Sequence, residues 1–370
     1  MKKTRPEHSQ RTRPELSRRI LIIDPYLDTL GGGEEHMMSM ARVFEDKGFE
    51  ITLAWDDPKI KINLSERFNL NLSKLEFKVG FSLLSVIERY RFTQQFDYLL
   101  YATDGSYFFS GAKNNYVFSM YPKKSLYKMS GLNILKLRNF QFIANSQFTE
   151  KHIKDWVGRP VHVITPYLQK DFFKPINKHK NKTIVSIGRF FEHLHSKRQD
   201  ILIDAFEQFQ KKESGWKLTL IGGLKDEDRD YFDKVIEKSK NNRNIEVIPN
   251  APYKTMLSIL DEATFYWHAA GYGINEQLHP DAVEHFGITP LEGLSRGCVV
   301  VAYDAGGQRD IIKNGVNGYL YTTIEELVDT TQKVAGDKLL YNKIQLKGVQ
   351  TAEQFDYEHF KKYCEQIFNL

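Results

Sequence analysis

Short, wholly apolar runs bounded by turn residues recur along this chain of 370 residues. Residues 20–23 and 299–303 are two of these runs, and each precedes a glycine turn that leads into a helical pattern. A continuous apolar run of this length is typical of a parallel strand that is buried on both faces. Because such strands alternate here with helical patterns, the sequence predicts the α/β class with parallel sheets.

The alternation of strands and helices begins twice, at residues 20–24 and again at residues 182–189. A chain of this length exceeds one ordinary hydrophobic core and suits two domains. We therefore predict two Rossmann-like domains that face each other across a central cleft. The predicted parts are a disordered basic tail at 1–19, a first domain at 20–170, a linker at 171–182, a second domain at 183–354 and a terminal amphipathic helix at 355–370.

Composition and cysteine content indicate the compartment. The chain is 41% hydrophobic and 27% charged, which is typical of soluble globular proteins. Cys298 and Cys364 cannot form a disulfide framework, and a reducing compartment is therefore the default. The sequence contains no run of about 18 apolar residues, so it predicts no transmembrane helix. Residues 1–19 lack the apolar core of a secretory signal. We predict a cytoplasmic protein and leave open its peripheral attachment to the inner face of a membrane.

Positive charge is concentrated in the first half of the chain. Residues 105–149 contain six Lys or Arg and no Asp or Glu, with aromatic and apolar residues interleaved among them. Such a surface suits an anionic lipid headgroup or a phosphorylated acceptor. A solvated face beside a core strand is the alternative. No recognised nucleic-acid motif accompanies the charge, so nucleic acid is not an expected partner.

Two glutamates, Glu284 and Glu292, lie eight positions apart around a glycine turn. Thr289 and Pro290 suit an N-cap followed by proline at the first helical position. Glu292 then falls at the third helical position of a capping box. The N–H groups of residues 286–288 would lie at the electropositive end of this helix, where anions and sugar hydroxyls bind. The alternative is that Glu292 only caps and Glu284 is a solvated loop acid.

Several motifs together resemble a known family, the retaining GT-B glycosyltransferases of family 4, over roughly residues 20–370. The Glu-x7-Glu spacing with Phe286-Gly287 inside it is similar to that family's signature. The glycine turn at residues 31–33 is similar to its Gly-Gly-x-Glu opening. Arg189 and Lys197 match its cation pair, although Arg198 stands where the family usually has glycine and the gap between the two cations is longer.

The resemblance implies a GT-B fold whose C-terminal helix, residues 355–370, crosses back to the N-terminal domain. It also implies transfer of a sugar from a nucleotide diphosphate sugar to a saccharide or lipid-linked acceptor, in polysaccharide or glycolipid assembly. The first domain would bind the acceptor and the second the nucleotide sugar. A catalytically silent GT-B binding protein and a GT-B phosphorylase or epimerase remain alternatives. A dinucleotide-dependent reductase is disfavoured because its fingerprint is missing.

The resemblance assigns catalytic roles to Glu284, Arg189 and Lys197. A leaving nucleotide diphosphate develops negative charge, and without a metal this charge needs fixed cations. Two clustered histidines, His193 and His195, are too few for a metal site. We therefore expect no metal and no other cofactor.

The remaining site predictions concern the two substrates. The sequence predicts strands near residues 98–102 and 115–119, and family members often place a histidine after the second of them. This sequence has no histidine at that place, where Ser119 and Tyr121 are the nearby polar residues. Ser119, Tyr121, Lys123 and Lys124 are therefore the acceptor-binding candidates. Glu292 would accept from ribose hydroxyls. The other donor-binding candidates are Gly32, Gly33, Pro252, Phe286, Gly287, Ile288 and Thr289, beside Arg189 and Lys197.

Overall fold

The computed structural model describes residues 18–68, 75–177, 179–193 and 195–370. Nearly all of the tail predicted at residues 1–19 therefore lies outside the described residues. The chain divides into two compact units. One contains residues up to Tyr101 together with Phe109–Asn115, and the other contains Ala102–Phe108 together with Tyr116–Leu370. The predicted boundary at residues 171–182 stays a prediction.

Two sheets of parallel strands organise the described residues. The first has the strand order β3-β2-β1-β4-β5-β6-β7 and the second the order β10-β9-β8-β11-β12-β13. The strands are β1 (Arg19–Ile23), β2 (Glu50–Leu53), β3 (Leu75–Phe77), β4 (Tyr98–Ala102), β5 (Asn114–Ser119), β6 (Phe140–Ala144), β7 (Val161–Val163), β8 (Asn181–Ile187), β9 (Lys217–Gly222), β10 (Ile245–Pro249), β11 (Ala263–His268), β12 (Val299–Tyr303) and β13 (Tyr319–Tyr321).

Helices connect the strands, as the alternating pattern predicts. They are α1 (Gly32–Asp46), α2 (Ile60–Phe68), α3 (Val86–Thr93), α4 (Gly131–Lys136), α5 (Gln147–Val157), α6 (Gln199–Lys212), α7 (Arg229–Ser239), α8 (Tyr253–Glu262), α9 (Ile288–Ser295), α10 (Gln308–Ile311), α11 (Ile324–Gly336), α12 (Lys338–Ala352) and α13 (Tyr357–Phe368).

The second sheet is buried on both faces, which explains its continuous apolar strands. Alternate residues of a strand point to opposite faces of a sheet. Trp267 of β11 and Val299 of β12 accordingly pack into one buried cluster with helix residues such as Phe206. Their chain neighbours Tyr266 and Val300 pack into a second cluster on the other face. The helices thus cover both faces, as in a doubly wound fold.

The terminal helix α13 packs against β5 of the first sheet. The Tyr116 ring of β5 meets the Phe368 ring edge-on with their centroids 4.9 Å apart. The Tyr116 hydroxyl also donates to the carbonyl oxygen of Ile367 at 3.4 Å. Asp356 caps the helix by accepting from the His359 N–H at 2.8 Å. The predicted return of the terminal helix to the first sheet is confirmed.

Candidate functional site

The candidate site lies at the carboxyl ends of β8 and β11. These neighbouring strands are parallel, with Tyr266 opposite Val185, and so they end at the same edge of the sheet. Between them the strand order reverses direction. Open α/β sheets bind ligands at the carboxyl ends of the two strands that flank such a reversal. Arg189 follows β8 and His268 ends β11, so both reach this position.

Glycines let Lys197 cross the end of β8. A Cβ on Gly188 would lie 2.4 Å from Cγ of Lys197, and a Cβ on Gly222 would lie 1.9 Å from the carbonyl oxygen of Gly188. Gln199, which is 2% exposed, donates from Nε2 to the carbonyl oxygens of Gly188 at 3.1 Å and Arg189 at 3.2 Å. The backbone that carries Arg189 is therefore fixed by packing and by hydrogen bonds.

Arg189 has an exposed side chain. Its guanidinium lies 4.6 Å from the centroid of the Phe191 ring, a cation–π contact that orients the group without neutralising it. No acidic partner of Arg189 occurs among the residues that the structure describes. The guanidinium is thus available to an anion from solution.

Lys197, Glu284 and His268 form a compact polar cluster. The Lys197 ammonium pairs with Glu284, and the two side chains are 13% and 12% exposed. His268 Nε2 lies 3.1 Å from the same Glu284 oxygen. Burial alone would raise the pKa of Glu284, but the charge of Lys197 and the His268 hydrogen bond together hold it well below its usual range. Glu284 is therefore ionised at neutral pH.

His268 is neutral in this cluster, because burial lowers its pKa from the usual value. A neutral imidazole carries one proton, and the ionised Glu284 carboxylate can only accept, so His268 donates from Nε2. Its Nδ1 is then an acceptor, and this buried atom has no partner within the described part of the chain. A buried acceptor of this kind costs free energy unless another group or a water donates to it.

A row of aromatic rings continues from Arg189 past the cluster. His195 lies between Phe191 and His285, with ring centroids 5.4 Å and 5.2 Å away. The Tyr121 ring packs edge-on against His285 at 5.3 Å. Burial lowers the pKa of His285 to about 4 and that of His195 well below its usual range, with the charge of Lys197 adding to the shift of His195. Both imidazoles are thus neutral.

Asp281 fastens the Tyr121 end of this row. The Tyr121 hydroxyl donates to Asp281 Oδ2 at 3.2 Å, and the neutral His285 ring lies with Nε2 3.3 Å from the Asp281 carbonyl oxygen. Tyr121 comes from the loop after β5, and Asp281 lies in the segment before Glu284. The row therefore connects an acceptor-binding candidate with the Glu284 segment.

The predicted start of the helix that carries Glu292 is wrong. Helix α9 begins at Ile288 after Gly287, which adopts a left-handed conformation with φ 104°. The Thr289 hydroxyl does not cap this helix, because it donates to the carbonyl oxygen of Ile187 at 3.2 Å. Glu292 is consequently the fifth helical residue, so no capping box forms.

Backbone contacts from a distant glycine pair explain the earlier start. The Gly307 N–H donates to the carbonyl oxygen of Glu284 at 2.8 Å. A Cβ on Gly306 would lie 2.1 Å from that oxygen, and a Cβ on Gly307 would lie 2.3 Å from the carbonyl oxygen of His285. These contacts fix the chain just before α9 and determine its first turn, which local capping preference alone would place later.

The two glutamates lie near the same phenol. Tyr266 is fully buried, and its hydroxyl donates to the Ile187 carbonyl oxygen at 3.0 Å. The pKa of Tyr266 is raised beyond its usual value, first by burial and then by the charges of Glu292 and Glu284. The charges of both carboxylates therefore act on one region beside the end of β8.

The other donor-binding candidates occupy different positions. Phe286 is buried, with its ring 5.9 Å from that of Phe355, so its side chain is part of the core. Pro252 is exposed at the N-terminus of α8. In the other compact unit, Gly32 and Gly33 open α1, where their N–H groups have no acceptor within the helix.

The acceptor-binding candidates also differ from one another. Ser119 is fully buried at the end of β5, and its Oγ has no hydrogen-bond partner among the residues that the structure describes. Tyr121 takes part in the ring row. Lys123 and Lys124 are exposed, and the Lys123 ammonium lies 6.0 Å from the Tyr121 ring centroid. The structure thus brings Tyr121, but not the two lysines, to the Glu284 cluster.

Sequence reasoning missed His268, Gln199 and Asp281. A signal existed for His268, because it is an imidazole at the carboxyl end of an apolar strand. Gln199 and Asp281 act through contacts across the chain and carry no local signal.

Two features of the described residues concern metals and membranes. No group of three or more His, Cys, Asp and Glu side chains there could hold a metal ion, and the expectation of no cofactor stays a prediction. Within the same residues, no helix combines the length and the apolar character that crossing a bilayer requires.

Comparison with solved structures identifies the fold. The chain resembles the crystal structure of Anabaena Alr3699/HepE in complex with UDP and glucose, with a TM-score of 0.71 over 95% of this chain and 100% of that one, at 17% identity. With its two parallel Rossmann-like sheets, the chain has the GT-B fold.

Sequence comparison relates the second half of the chain to a known family. Residues 169–350 match the family model of glycosyl transferases group 1. The chain is 26% identical to the GDP-Man:Man(3)GlcNAc(2)-PP-Dol alpha-1,2-mannosyltransferase of Caenorhabditis elegans over 53% of its own length and 43% of that protein. It is 27% identical to the lipopolysaccharide 1,6-galactosyltransferase of Salmonella typhimurium, over 53% and 51% of the respective chains. The chain therefore spans about half the length of these relatives.

Proposed function

We propose that the protein is a retaining, metal-independent glycosyltransferase. It moves a sugar from a nucleotide diphosphate sugar to a saccharide or lipid-linked acceptor, in polysaccharide or glycolipid assembly. The observation that carries the proposal is the grouping of Arg189, Lys197 and Glu284 around the reversal of strand order, inside the group 1 domain.

The cations supply the chemistry that a leaving diphosphate requires. Arg189, with no acidic partner among the described residues, presents a planar fork that binds two phosphate oxygens at once. Lys197 adds a point charge but is paired with Glu284. A diphosphate competes with Glu284 for Lys197, and the released carboxylate then accepts from hydroxyls of the donor sugar. Fixed charges aimed at the departing oxygens stabilise the transition state.

Backbone groups complete the donor site in this proposal. The N–H groups of residues 286–288 lie at or just before the start of α9, where the helix dipole favours oxygen ligands. Thr289 contributes through its backbone, because its hydroxyl is engaged with Ile187. Glu292 accepts from the ribose and Pro252 contacts the base. The donor-binding role of Gly32 and Gly33 stays a prediction from the family resemblance.

The relatives suggest which substrates to test. The HepE structure contains UDP and glucose, and the nematode relative is named for GDP-mannose and a dolichol-linked glycan. UDP- and GDP-sugars are therefore the first donors to try, with lipid-linked saccharides as acceptors. Tyr121 and Ser119, with Lys123 and Lys124, form the acceptor side. The proposal places the enzyme in the cytoplasm, with access to the inner face of a membrane.

A thermal-shift panel of UDP, GDP and their sugars identifies the donor, because a ligand that binds the folded state raises the melting temperature. Transfer is then followed with that donor. The anomeric configuration of the product, read by NMR, tests retention, and activity in EDTA tests metal independence. Binding of a donor without transfer or hydrolysis would support the silent-protein alternative, and consumption of free phosphate would support a phosphorylase.

The substitution Lys197→Ala tests the electrostatic role. Loss of a charged hydrogen bond to phosphate should weaken diphosphate binding about 10–100-fold, and turnover should fall by about 10²–10³. Lys212→Ala is a matched control, because Lys212 forms an exposed pair with Asp329 at 2.7 Å. Equal diphosphate affinity and turnover in the two variants would refute the role of Lys197.

A further inference from the structure

Helix α4 exposes an aliphatic patch in the part of the chain that lacks acids. Leu132, Ile134 and Leu135 are 57%, 45% and 56% exposed. Leu137, which is fully buried, anchors the end of the helix, and its carbonyl oxygen accepts from Arg159 at 2.7 Å. Because Leu137 is packed in the core, the end of the helix is fixed while the three aliphatic side chains stay exposed.

Three cations lie beside this patch in the sequence. Lys136 is the last residue of α4, Lys128 and Arg138 flank the helix, and no ion pair of the three occurs among the described residues. The Asn133 side chain donates to the Lys128 carbonyl oxygen at 2.8 Å, which keeps Lys128 beside the first turn of the helix. Residues 105–149 contain no Asp or Glu, so nothing in that stretch offsets the positive charge.

A second aliphatic patch in the other compact unit provides a comparison. Leu83, Val86 and Ile87 are 87%, 67% and 66% exposed, more than the residues of α4. Their surroundings are of mixed charge, since Glu88 lies within the patch and caps α3 by accepting from the Ser85 N–H at 2.9 Å. Exposure alone therefore does not distinguish the two patches, whereas charge does.

We propose that Leu132, Ile134 and Leu135 insert into the interface of an anionic lipid bilayer, with Lys128, Lys136 and Arg138 facing its headgroups. Aliphatic side chains bordered by unpaired cations match a surface that is negatively charged outside and apolar just beneath. The inference deepens the proposed function, on which its purpose rests, by naming the surface at which a lipid-linked acceptor is met. Lipid binding itself is independent of sugar transfer.

Single surface cysteines provide a direct test. The native Cys298 and Cys364 are fully buried, and burial raises the pKa of the Cys298 thiol to about 11, so neither reacts readily. A polarity-sensitive fluorophore on Leu135→Cys should shift to the blue with vesicles rich in phosphatidylglycerol and stay unchanged with phosphatidylcholine. The same label on Leu83→Cys is the matched control and should not shift. A shift at Leu83→Cys without one at Leu135→Cys overturns the proposal.

Co-sedimentation with the same vesicles measures the two contributions. Each cation near an anionic surface is worth roughly fivefold in affinity, so the triple change of Lys128, Lys136 and Arg138 to Gln should weaken binding about 100-fold. The triple change of Leu132, Ile134 and Leu135 to Ser should weaken it at least about tenfold. The Leu83, Val86 and Ile87 triple change to Ser should have no effect. Melting temperatures should stay near that of the parent protein, because the substituted side chains are exposed except for the half-buried Lys136.

Several results would overturn the proposal. Absence of binding to anionic vesicles at low salt is one, and binding that both α4 variants retain is another. Self-association that is lost in the α4 variants, without lipid binding by the parent protein, would assign the patch to a second copy of the chain. Sugar transfer without vesicle binding refutes only the docking proposal, and vesicle binding without sugar transfer refutes only the proposed function.

Discussion

The substitution Gly307→Ala tests whether backbone packing positions Glu284. A Cβ at Gly307 would lie 2.3 Å from the His285 carbonyl oxygen and 2.7 Å from Cα of Phe286. Both are backbone atoms, so no side-chain rotation relieves the contact. The φ of Gly307 is −67°, which alanine adopts without strain. Any effect therefore comes from the contact and not from the conformation.

The size of the effect follows from the overlap. Forcing an extra methyl group into a packed site costs about 1–3 kcal/mol. Alanine recovers roughly 0.5–1 kcal/mol of chain entropy relative to glycine, so we expect a net loss of about 1–2 kcal/mol. The segment must also move several tenths of an ångström away from Gly307, which carries Glu284 out of register with Lys197. A misplacement of about 1 Å costs on the order of 100-fold in rate, so turnover should fall about 10–100-fold.

Urea denaturation measures the stability and steady-state transfer measures the rate. Gly336→Ala is the control, because a Cβ there meets nothing within 4 Å and the residue ends helix α11. That variant should be as stable as the parent or slightly more stable, with unchanged turnover. If Gly307→Ala matches Gly336→Ala in both measurements, backbone packing does not position Glu284.

Three further predictions concern individual carboxyl and hydroxyl groups. Burial, with a smaller effect of Glu34, raises the pKa of Asp24 to about 7. The folded state thus binds this proton more tightly than the unfolded state. As the pH rises from 4 to 7, the free energy of unfolding should therefore fall by about 1.4 kcal/mol per pH unit. Urea titrations of Asp24→Asn at several pH values should not show this fall. Tyr121→Phe removes the 3.2 Å bond to Asp281 and should raise the acceptor KM without changing donor affinity. Glu284→Gln should tighten diphosphate binding, measured by calorimetry, and slow transfer.

Each of these predictions has a contradicting result. An unchanged pH dependence in Asp24→Asn would show that Asp24 is ionised in the folded state at neutral pH. A change in donor affinity of Tyr121→Phe, at constant acceptor KM, would place Tyr121 on the donor side. Weaker diphosphate binding by Glu284→Gln would show that the carboxylate helps to hold Lys197 for the ligand and does not compete with it.

The strands were predictable because their signal is local. Strands β4 and β12 begin and end at the predicted residues, since a parallel strand buried on both faces needs an unbroken apolar run. The start of α9 was not predictable from Thr289 and Pro290. Their capping preference is worth about 1 kcal/mol, and contacts from Gly306 and Gly307 outweigh it. Sequence separation hides such contacts from any local pattern.

The candidate site was predictable only in part for the same reason. Lys197 and Glu284 are 87 positions apart, and only the family resemblance assigned both to one donor. Nothing in the residues indicated that the two side chains pair with each other. His268 could have been proposed from its place at the end of a strand, whereas the role of Gln199 depends on carbonyl groups that the sequence does not reveal.

Charge balance around Glu284 gives the physical basis for the Glu284→Gln prediction. The neighbouring His195, His268 and His285 are neutral because burial lowers the pKa of each. Lys197 and Glu284 offset each other, which leaves Arg189 as the charge of the cluster without an acidic partner among the described residues. In the proposed function, an arriving diphosphate therefore meets Arg189 first and gains Lys197 only by displacing Glu284. Because removing the carboxylate charge abolishes that competition, Lys197 becomes available at once. The same change deprives the sugar of a charged acceptor, so binding and transfer should shift in opposite directions.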